Sequence, residues 1–502
     1  MHTETVTHYT AYKPRPFSRA ERDDVTLLFG GLTWKHERLI QGAFHNMGYK
    51  AEPLPNVSRA DLDAGKELID VGACCPTTFT TGNLVNFLQS ETAKRGKADV
   101  IDSYVYVTAG ACGACRFGQY HQSYTMALDT LGLKDFRLFL MAQDEMDQGE
   151  TDGGGLEINM PFSLGTVWAI LCGDVLTDLE YMTRPYEVNA GQTDAVLRES
   201  VEHMYDVFRN RPIRGRKWGN LAWHFTTDYF TAALREVKKK WDAIEVDRLQ
   251  VKPKVKITGE FWLQTHEGDG NYNIKRWLEQ EGAEIIAPSI ALWLDYWMRF
   301  YVQEFEDRRQ SDRYVPLKIA MVKGLQRLFR GTYNRLRKAL GFLPHELPDQ
   351  YELQRLSAPF YHRRLSGGEG DMLIGKALHA YHHKTAHMIC ELTPYSCLPN
   401  TMSVGAMSNV TGKYPDLLYA PIEIKGDAEV HALSRCQMIL TEAKKRAQQE
   451  FETVLQQTGR SLDELRAFEA LHPHVRKMTY TFDHHGVAGT AANYVRALAR
   501  QI

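Results

Sequence analysis

The chain has 502 residues, too many for one hydrophobic core, so two or three packed units are expected. Hydrophobic residues make up 43% and charged residues 24%, the balance of a soluble globular protein, and the formal net charge of −2 gives no reason to expect a nucleic-acid partner. No apolar run reaches the roughly 20 residues of a membrane span, and the polar N-terminus does not resemble a secretory signal. We therefore expect a cytoplasmic protein without a membrane partner, in which grouped cysteines are more often metal ligands or redox groups than disulfides.

Two stretches of the chain have the same predicted order of elements. A β-rich run from Val25 is followed by a helical pattern, a glycine C-cap at Gly48 and a second strand. A β-rich run from Val255 is followed by a helix over 273–281, Gly282 and another strand. Each is the β-α-β opening of a doubly wound parallel sheet. The predicted fold class is therefore α/β, with two related parallel-sheet domains in tandem.

Helical patterns fill the rest of the chain. An aromatic stripe within the helical stretch 290–345 is interpreted as core or domain interface, because apolar residues at helical spacing usually pack. The domain limits follow from these patterns. They are 1–170 for the first α/β domain, 171–250 for a helical connector, 251–433 for the second α/β domain with its helical insertion, and 434–502 for a helical C-terminal region.

Six cysteines fall in three groups, each between a predicted strand and a predicted helix. That order places side chains at the carboxyl edge of an open α/β sheet, where ligands bind. A helix N-terminus also stabilises negative charge, so we expect these thiols to have lowered pKa values. The groups are Cys74 with Cys75, Cys112 with Cys115, and Cys390 with Cys397.

Thiolates from separate loops that meet in one crevice form a soft-ligand site, which suits an iron–sulfur cluster or zinc. Structural zinc sites usually gather their ligands within a short span, whereas only one C-x-x-C is present here, so iron–sulfur is the favoured interpretation. A thioredoxin-like dithiol would leave the other two groups unexplained. Cys172 and Cys436 lie in apolar or helical stretches and are interpreted as packing residues.

The sequence gives weaker indications of a proton donor, of histidine metal ligands and of a nucleotide site. His121, which follows Cys115 closely, is the candidate proton donor, while the remaining histidines lack a metal-ligand pattern such as H-E-x-x-H. The sequence contains neither a G-x-x-x-x-G-K-[ST] nor a G-x-G-x-x-G motif, so any ATP-driven step would belong to another protein.

The cysteine loops resemble those of a known family. Gly113-Ala-Cys-Arg-Phe-Gly-Gln-Tyr resembles the GPCRFGQY signature of the 2-hydroxyacyl-CoA dehydratase superfamily, with Ala114 in place of proline. Cys75-Pro, followed by Thr81-Gly-Asn-Leu, is similar to the first cysteine loop of that family. Thr393-Pro-Tyr-Ser-Cys-Leu-Pro is similar to its GPFGCMP loop, and Gly259-Glu-Phe-Trp to the strand that opens its second domain. The likeness spans roughly residues 25 to 440.

The resemblance implies tandem flavodoxin-like domains and a cluster bound by three single cysteines, here Cys75, Cys115 and Cys397. It also implies a homo- or heterodimer and a separate ATP-hydrolysing activator with an actin-like ATPase fold and its own [4Fe–4S] cluster. The extra cysteines at Cys74, Cys112 and Cys390 suit the double-cubane [8Fe–9S] branch, whose members are ATP-coupled reductases of small molecules. Alternatively, those three cysteines only pack near a single cluster.

Three functions stay open at this point. The first is an ATP-coupled iron–sulfur oxidoreductase with a double-cubane cluster and a small-molecule substrate. The second is a 2-hydroxyacyl-CoA dehydratase component, with one [4Fe–4S] cluster and an acyl-CoA substrate. The third is a non-enzymatic electron carrier or cluster scaffold.

Overall fold

The structure is a computed structural model that describes residues 14–70, 72–110, 115–141, 154–213, 217–365, 368 and 370–502. Eight named strands within these ranges form two parallel sheets of four strands each. The strands are β1 (Thr26–Phe29), β2 (Lys50–Pro53), β3 (Tyr104–Ala109), β4 (Arg137–Met141), β5 (Lys254–Gly259), β6 (Glu284–Ile286), β7 (Met388–Pro394) and β8 (Leu418–Ile424).

The two sheets have the same topology. The strand order is β2-β1-β3-β4 in the first sheet and β6-β5-β7-β8 in the second. In register, Leu27 of β1 pairs with Ala51 and Val105 on its two sides, and Ile257 of β5 pairs with Cys390 of β7. The prediction of an α/β protein with two parallel-sheet units is therefore confirmed.

Nineteen α-helices surround the sheets within the described residues. The helices that accompany the first sheet and follow it are α1 (Trp34–Asn46), α2 (Arg59–Leu68), α3 (Cys75–Arg95), α4 (Lys97–Ser103), α5 (Tyr120–Thr130), α6 (Met160–Thr183), α7 (Gln192–Arg209), α8 (Lys217–Thr226) and α9 (Tyr229–Trp241). The later helices are α10 (Phe261–Thr265), α11 (Ile274–Gln280), α12 (Ile290–Asp307), α13 (Val315–Ala339), α14 (Gln350–Ser357), α15 (Gly370–His382), α16 (Leu398–Lys413), α17 (Glu429–Thr458), α18 (Leu462–Leu471) and α19 (Thr490–Ala499).

Local sequence signals set the ends of the helices that matter for the site. The side chain of Thr33 accepts a hydrogen bond from the His36 amide and so caps α1. Pro76 and Pro399 lie in the first turns of α3 and α16, where a missing amide hydrogen costs nothing because that group has no helical partner. Both helices therefore begin directly at a cysteine, with Cys74 and Cys397 as their N-caps.

Helix α6 differs from the predictions made from the sequence in two ways. It is long and apolar enough to cross a membrane by length and composition, although no apolar run of that length was expected, and 61% of its apolar window is buried inside the structure. It also crosses the predicted domain limit at residue 170. The helix is buried on nearly every side because the first sheet and the helical connector share one hydrophobic core, to which it contributes Trp168, Leu171 and Leu176.

The later helices extend these cores. The aromatic stripe on α12 packs into the large core of the first unit, with Tyr296 fully buried, as the packing interpretation predicted. Helix α17 is continuous across the predicted limit at residue 434 and closes the second sheet through Cys436 and Leu440. The last helices form a smaller core of their own, around Phe451 and Tyr494.

The two units are packed against each other where the site lies. Leu62 of α2 and two residues at the start of α3, Cys75 and Phe79, belong to the same hydrophobic cluster as Ile257 and Leu392 of the second sheet. This shared cluster packs α2 and the start of α3 against the second sheet.

Candidate functional site

Three turns from the two units meet at one point and are joined by hydrogen bonds. The Cys75 amide donates to the carbonyl of Tyr395, with 3.4 Å between nitrogen and oxygen. The Gly72 carbonyl accepts from the hydroxyl of Ser396 at 3.2 Å and from the guanidinium of Arg116. The cysteine loops that precede α3, follow β3 and follow β7 are therefore in contact. The prediction that a strand leads into each group is wrong for Cys74 and Cys75, because the element before them is the helix α2.

Glu260 enters this junction from a fourth turn, at the end of β5. Its amide donates to the Leu392 carbonyl at 2.9 Å, and its carboxylate caps α10 by accepting from the Leu263 amide. Gly259 makes the turn possible, because its φ of +123° is rarely adopted by other residues and a Cβ there would collide with the Leu392 backbone. The close approach of β5 and β7 thus places a carboxylate among the cysteines.

Three thiols share this neighbourhood, and we call Cys74, Cys115 and Cys397 the three-thiol site. Burial, then the Glu260 carboxylate, then the thiols of Cys74 and Cys115 raise the pKa of Cys397. Burial, then Glu260, raise the pKa of Cys74 to about 12, with a further contribution from Cys115. Cys74 and Cys397 are each 5% exposed, and Cys115 is half-buried. These electrostatic contributions indicate that the three turns bring the thiols into one neighbourhood.

The expected lowering of the thiol pKa values by helix N-termini is wrong for two of these cysteines. Cys74 and Cys397 do lie at helix N-termini, yet their pKa values are raised, because burial and a nearby carboxylate outweigh the helix dipole. Such thiols are poor nucleophiles at neutral pH. They ionise when a cation binds beside them, which is how metal binding is coupled to proton release.

The adjacent Cys75 has different surroundings. Burial, then the thiol of Cys74 and the carboxylate of Glu260, raise the pKa of Cys75, so this residue also lies near Glu260. However, it also belongs to the hydrophobic cluster of the second sheet, and its thiol acts on the pKa of Tyr272. The thiols of Cys74 and Cys115 both raise the pKa of Cys397. Cys74 is therefore the member of the pair that we assign to the three-thiol site, whereas the resemblance assigns Cys75.

The other cysteines within the described residues lie in the two large hydrophobic cores. Cys390 lies in the middle of β7, is fully buried, and hydrogen-bonds with Cys436 of α17 inside the second core, so the structure does not bring it to the three-thiol site. Cys436 and Cys172 are fully buried among apolar residues, consistent with packing. Cys112 lies outside the described residues.

The residue that contacts a site thiol from α5 is Tyr120. Its hydroxyl lies 3.6 Å from the sulfur of Cys74, and its ring packs edge-on against Phe117 and Tyr124. His121, the predicted proton donor, follows it in the first turn of α5. Sequence reasoning named His121 and passed over Tyr120, although Tyr120 ends the same CRFGQY motif and so was open to the same argument.

A small cavity lies beside α3, between the two units. It is lined by Glu37, Thr80, Asn83 and Tyr106 of the first unit and by Trp262 and His266 of the second. Its volume of about 20 Å³ holds roughly one water-sized group. The cavity therefore has room for a single small group.

Two of the lining side chains have no hydrogen-bond partner among the described residues. Both ring nitrogens of His266 and the indole N–H of Trp262 are buried and unpaired, and the two rings stack with centroids 4.5 Å apart. Burial, with a smaller effect from Lys275, lowers the pKa of His266 to about 3, so its ring is neutral. Unpaired buried polar groups are costly, and a water molecule or a ligand in the adjoining cavity would satisfy them.

Glu37, which also lines the cavity, has a raised pKa, whereas the pKa of His266 is lowered. Burial raises the pKa of Glu37 to about 8, despite backbone hydrogen bonds from Leu32 and Gly31. At neutral pH most molecules therefore carry a proton on this carboxyl group. The cavity thus combines an acid that holds a proton with an imidazole that can donate or accept a hydrogen bond. Neither residue stood out in the sequence, because nothing in the local pattern indicates their burial.

The donor set at the three-thiol site fits an iron–sulfur cluster. The seven cysteines in the described part of the chain form no disulfide, and those of the site come from three different turns. Soft thiolate ligands from separate loops are what such clusters require. Cys74, Cys115 and Cys397 are the residues that would hold one, and a bound cation would offset the charge of the thiolates and of Glu260.

No family model matches this chain, and no curated protein does.

Proposed function

We propose that this chain is an iron–sulfur protein that holds its cluster at Cys74, Cys115 and Cys397, between two flavodoxin-like domains. The observation that carries the proposal is the meeting of three cysteine-containing turns, from both units, around Glu260. A cluster bound there supplies one-electron transfer at low potential.

The function that we propose is the ATP-coupled reduction of a small molecule. The sequence has no phosphate-binding motif, so the low-potential electrons would come from a separate ATP-hydrolysing activator, as the family resemblance implies. The small cavity next to α3 would take the reacting end of the substrate. Glu37 would provide a proton there, His266 would orient the substrate by a hydrogen bond, and Trp262 would shield it from water.

A second candidate function is that of a 2-hydroxyacyl-CoA dehydratase component. The three-thiol geometry favours it, because the resemblance gives that branch of the family a cluster held by three single cysteines. Burial of Cys390 against Cys436 likewise favours a single cluster over a double cubane, which would need six thiolates. We therefore propose one cluster per chain for either function.

Iron and sulfide analysis of the anaerobically purified protein tests the cluster. We expect about four irons per chain, with matching sulfide. Cys397→Ser should lose most of the iron, because it removes one of the three ligands. Cys390→Ser is the matched control, because this buried cysteine of the preceding strand lies outside the three-thiol site, and it should keep the iron. About eight irons, lost in both variants, would support the double cubane instead, and stoichiometric zinc without sulfide would refute the proposal.

Turnover measurements distinguish the reductase, the dehydratase and the electron carrier. With the activator, ATP and a reductant present, a reductase should turn over a small acceptor and a dehydratase should turn over a 2-hydroxyacyl thioester. Reduction of the cluster without turnover of either would indicate an electron carrier. Within a reductase, Glu37→Gln should lower kcat and leave the iron content unchanged, because it removes the proton and none of the ligands.

A further inference from the structure

A second group of metal-binding side chains lies in the helical insertion of the second unit. It consists of Glu352 on α14 and of His379 and His383 at the end of α15. One ligand atom from each residue lies within 4.8 Å of the other two. The Nε2 of His383 is 2.9 Å from one carboxylate oxygen of Glu352, and the Nε2 of His379 is 4.0 Å from the other.

The helices hold these three groups in place. His379 and His383 are four residues apart, and the His383 amide donates to the His379 carbonyl, so the helical path continues and both rings lie on one face. The ring centroids are 4.3 Å apart. Glu352 lies in the first turn of α14, where its amide donates to the capping carboxylate of Asp349.

Helices α14 and α15 also pack tightly against each other. A Cβ at Gly375 of α15 would lie only 2.5 Å from the carbonyl oxygen of Leu353 on α14. Because the two backbones are in close contact, the separation between Glu352 and the two histidines is set by the helix packing and not by flexible side chains alone. This is the kind of support that a metal site needs for its ligands.

We propose that Glu352, His379 and His383 bind a first-row transition-metal dication of the zinc type. Two imidazoles and one carboxylate form a donor set that selects such ions over Mg²⁺ and Ca²⁺, which prefer oxygen ligands. With three protein ligands, the fourth position of a tetrahedral ion is left for water or for an added ligand. His383 is half exposed, so that position faces solvent.

Nearby charges affect how tightly the ion is held. Lys256 of β5 and the ring of His383 both act on His379, and Arg355 acts on Glu352. The positive charges of Lys256 and Arg355 oppose the binding of a metal ion, and the carboxylate of Glu352 favours it. We therefore expect a site that is weaker than a closed four-ligand zinc site but selective by metal type. This site is separate from the three-thiol site and does not depend on the function proposed there.

Titration of the full-length, anaerobically purified protein with Co²⁺ tests this inference. Co²⁺ held by nitrogen and oxygen ligands shows its visible d–d bands without the intense thiolate-to-cobalt charge-transfer band, so binding at the cysteines is distinguished directly. We expect one equivalent of this type, displaced by Zn²⁺ and not by Mg²⁺ or Ca²⁺. His379→Ala and Glu352→Gln should each weaken Co²⁺ binding at least tenfold.

His382→Ala is the matched control. His382 is an exposed histidine of the same helix whose ring packs against Tyr414, and its loss should leave Co²⁺ binding unchanged. A His383→Ala variant provides an independent second test, because this half-exposed side chain can be removed with little effect on folding. Absence of nitrogen- and oxygen-ligated Co²⁺, or equal binding by the His379→Ala, His383→Ala and parent proteins, would overturn the proposal, whatever the iron content.

Discussion

At the scale of single residues, the two adjacent cysteines before α3 differ in the groups they face. Cys74 meets the Tyr120 hydroxyl and is electrostatically coupled to Cys115, whereas Cys75 packs into the second hydrophobic core. The two thiols therefore have different neighbours, and we assign Cys74 to the three-thiol site.

This difference predicts unequal effects of two neighbouring substitutions. Cys74→Ser should lose the cluster, because it removes a ligand. Cys75→Ser should keep the iron and cost about 1–3 kcal/mol of stability, because it buries a hydroxyl without a ready partner. Iron content and thermal unfolding measured side by side check both expectations. Loss of iron in Cys75→Ser alone would instead favour the ligand set that the family resemblance implies.

Glu37 provides a prediction about pH. Its pKa is about 8 in the folded protein, against an ordinary value of 4.5, because burial disfavours the carboxylate. Between these two values the folded state binds more protons than the unfolded state, so this residue makes the free energy of unfolding fall as the pH rises. Glu37→Gln removes that contribution. We expect the stability of the variant relative to the parent to increase between pH about 5 and about 8, by on the order of 3 kcal/mol.

Urea midpoints of the two proteins across this range measure the effect. The amide side chain introduced by Glu37→Gln keeps an oxygen that can accept from the Leu32 amide, so the hydrogen bond of the parent at 3.0 Å is preserved. A difference between the two proteins that is independent of pH would show that Glu37 is ionised in the folded state over the whole range.

At the scale of elements, the position of the first cysteine turn depends on how α2 packs against α3. Gly65 of α2 lies against the Thr78 backbone, and Gly82 of α3 lies against the Asp61 backbone, so close that a Cβ at either glycine would collide. Asp61 also accepts hydrogen bonds from Asn86 at 2.7 Å and from Asn83 at 3.2 Å. This contact holds the N-terminus of α3 where Cys74 faces Cys115.

Gly82→Ala should therefore disturb both stability and the site. The added methyl group forces the two helices apart, which typically costs about 1–3 kcal/mol and shifts the start of α3. We expect a lower unfolding midpoint and a reduced iron content. Gly405→Ala on α16 is the control, since nothing lies within 4 Å of its Cβ position, and it should stabilise its exposed helix by up to about 1 kcal/mol. Equal stability of the two variants would contradict the close-packing argument.

At the scale of the whole molecule, a buried ion pair joins the two units. The ammonium of Lys35 on α1 lies 2.6 Å from the carboxylates of Glu180 on α6 and Glu267 beyond α10, and its side chain is fully buried. Burial opposes the charge of Lys35, but the two carboxylates outweigh it and raise the pKa of the ammonium group. The charge is therefore part of the interface between the units and is present at neutral pH.

Lys35→Met should destabilise the protein by about 3–5 kcal/mol, because it leaves the carboxylate of Glu267 buried without its ion-pair partner, while Glu180 keeps only Arg184. Chemical denaturation of parent and variant measures the loss. The control is Lys94→Met, which removes an exposed partner of Glu91 and should change stability by less than about 1 kcal/mol. If the two substitutions cost the same, the interface does not rely on this ion pair.

Local sequence patterns alone predict many of the secondary-structure elements. Alternating apolar runs, glycine caps and proline after cysteine are short-range signals, and they predict the two parallel-sheet units and the strands that lead to Cys115 and Cys397. They do not predict that the Cys74 and Cys75 turn follows the helix α2, nor that turns from two separate sheets meet. Packing of the aromatic stripe on α12 followed from periodicity in the same way.

Tertiary packing determines which side chains lie next to each other. The choice between Cys74 and Cys75 depends on their different neighbours, and the burial of Cys390 depends on α17 covering β7. Likewise, the carboxylate of Glu352 is brought to His379 and His383 by helix packing, so no linear motif could reveal it. Burial, pKa and proximity arise from contacts between residues far apart in the chain, and local sequence patterns do not encode those contacts.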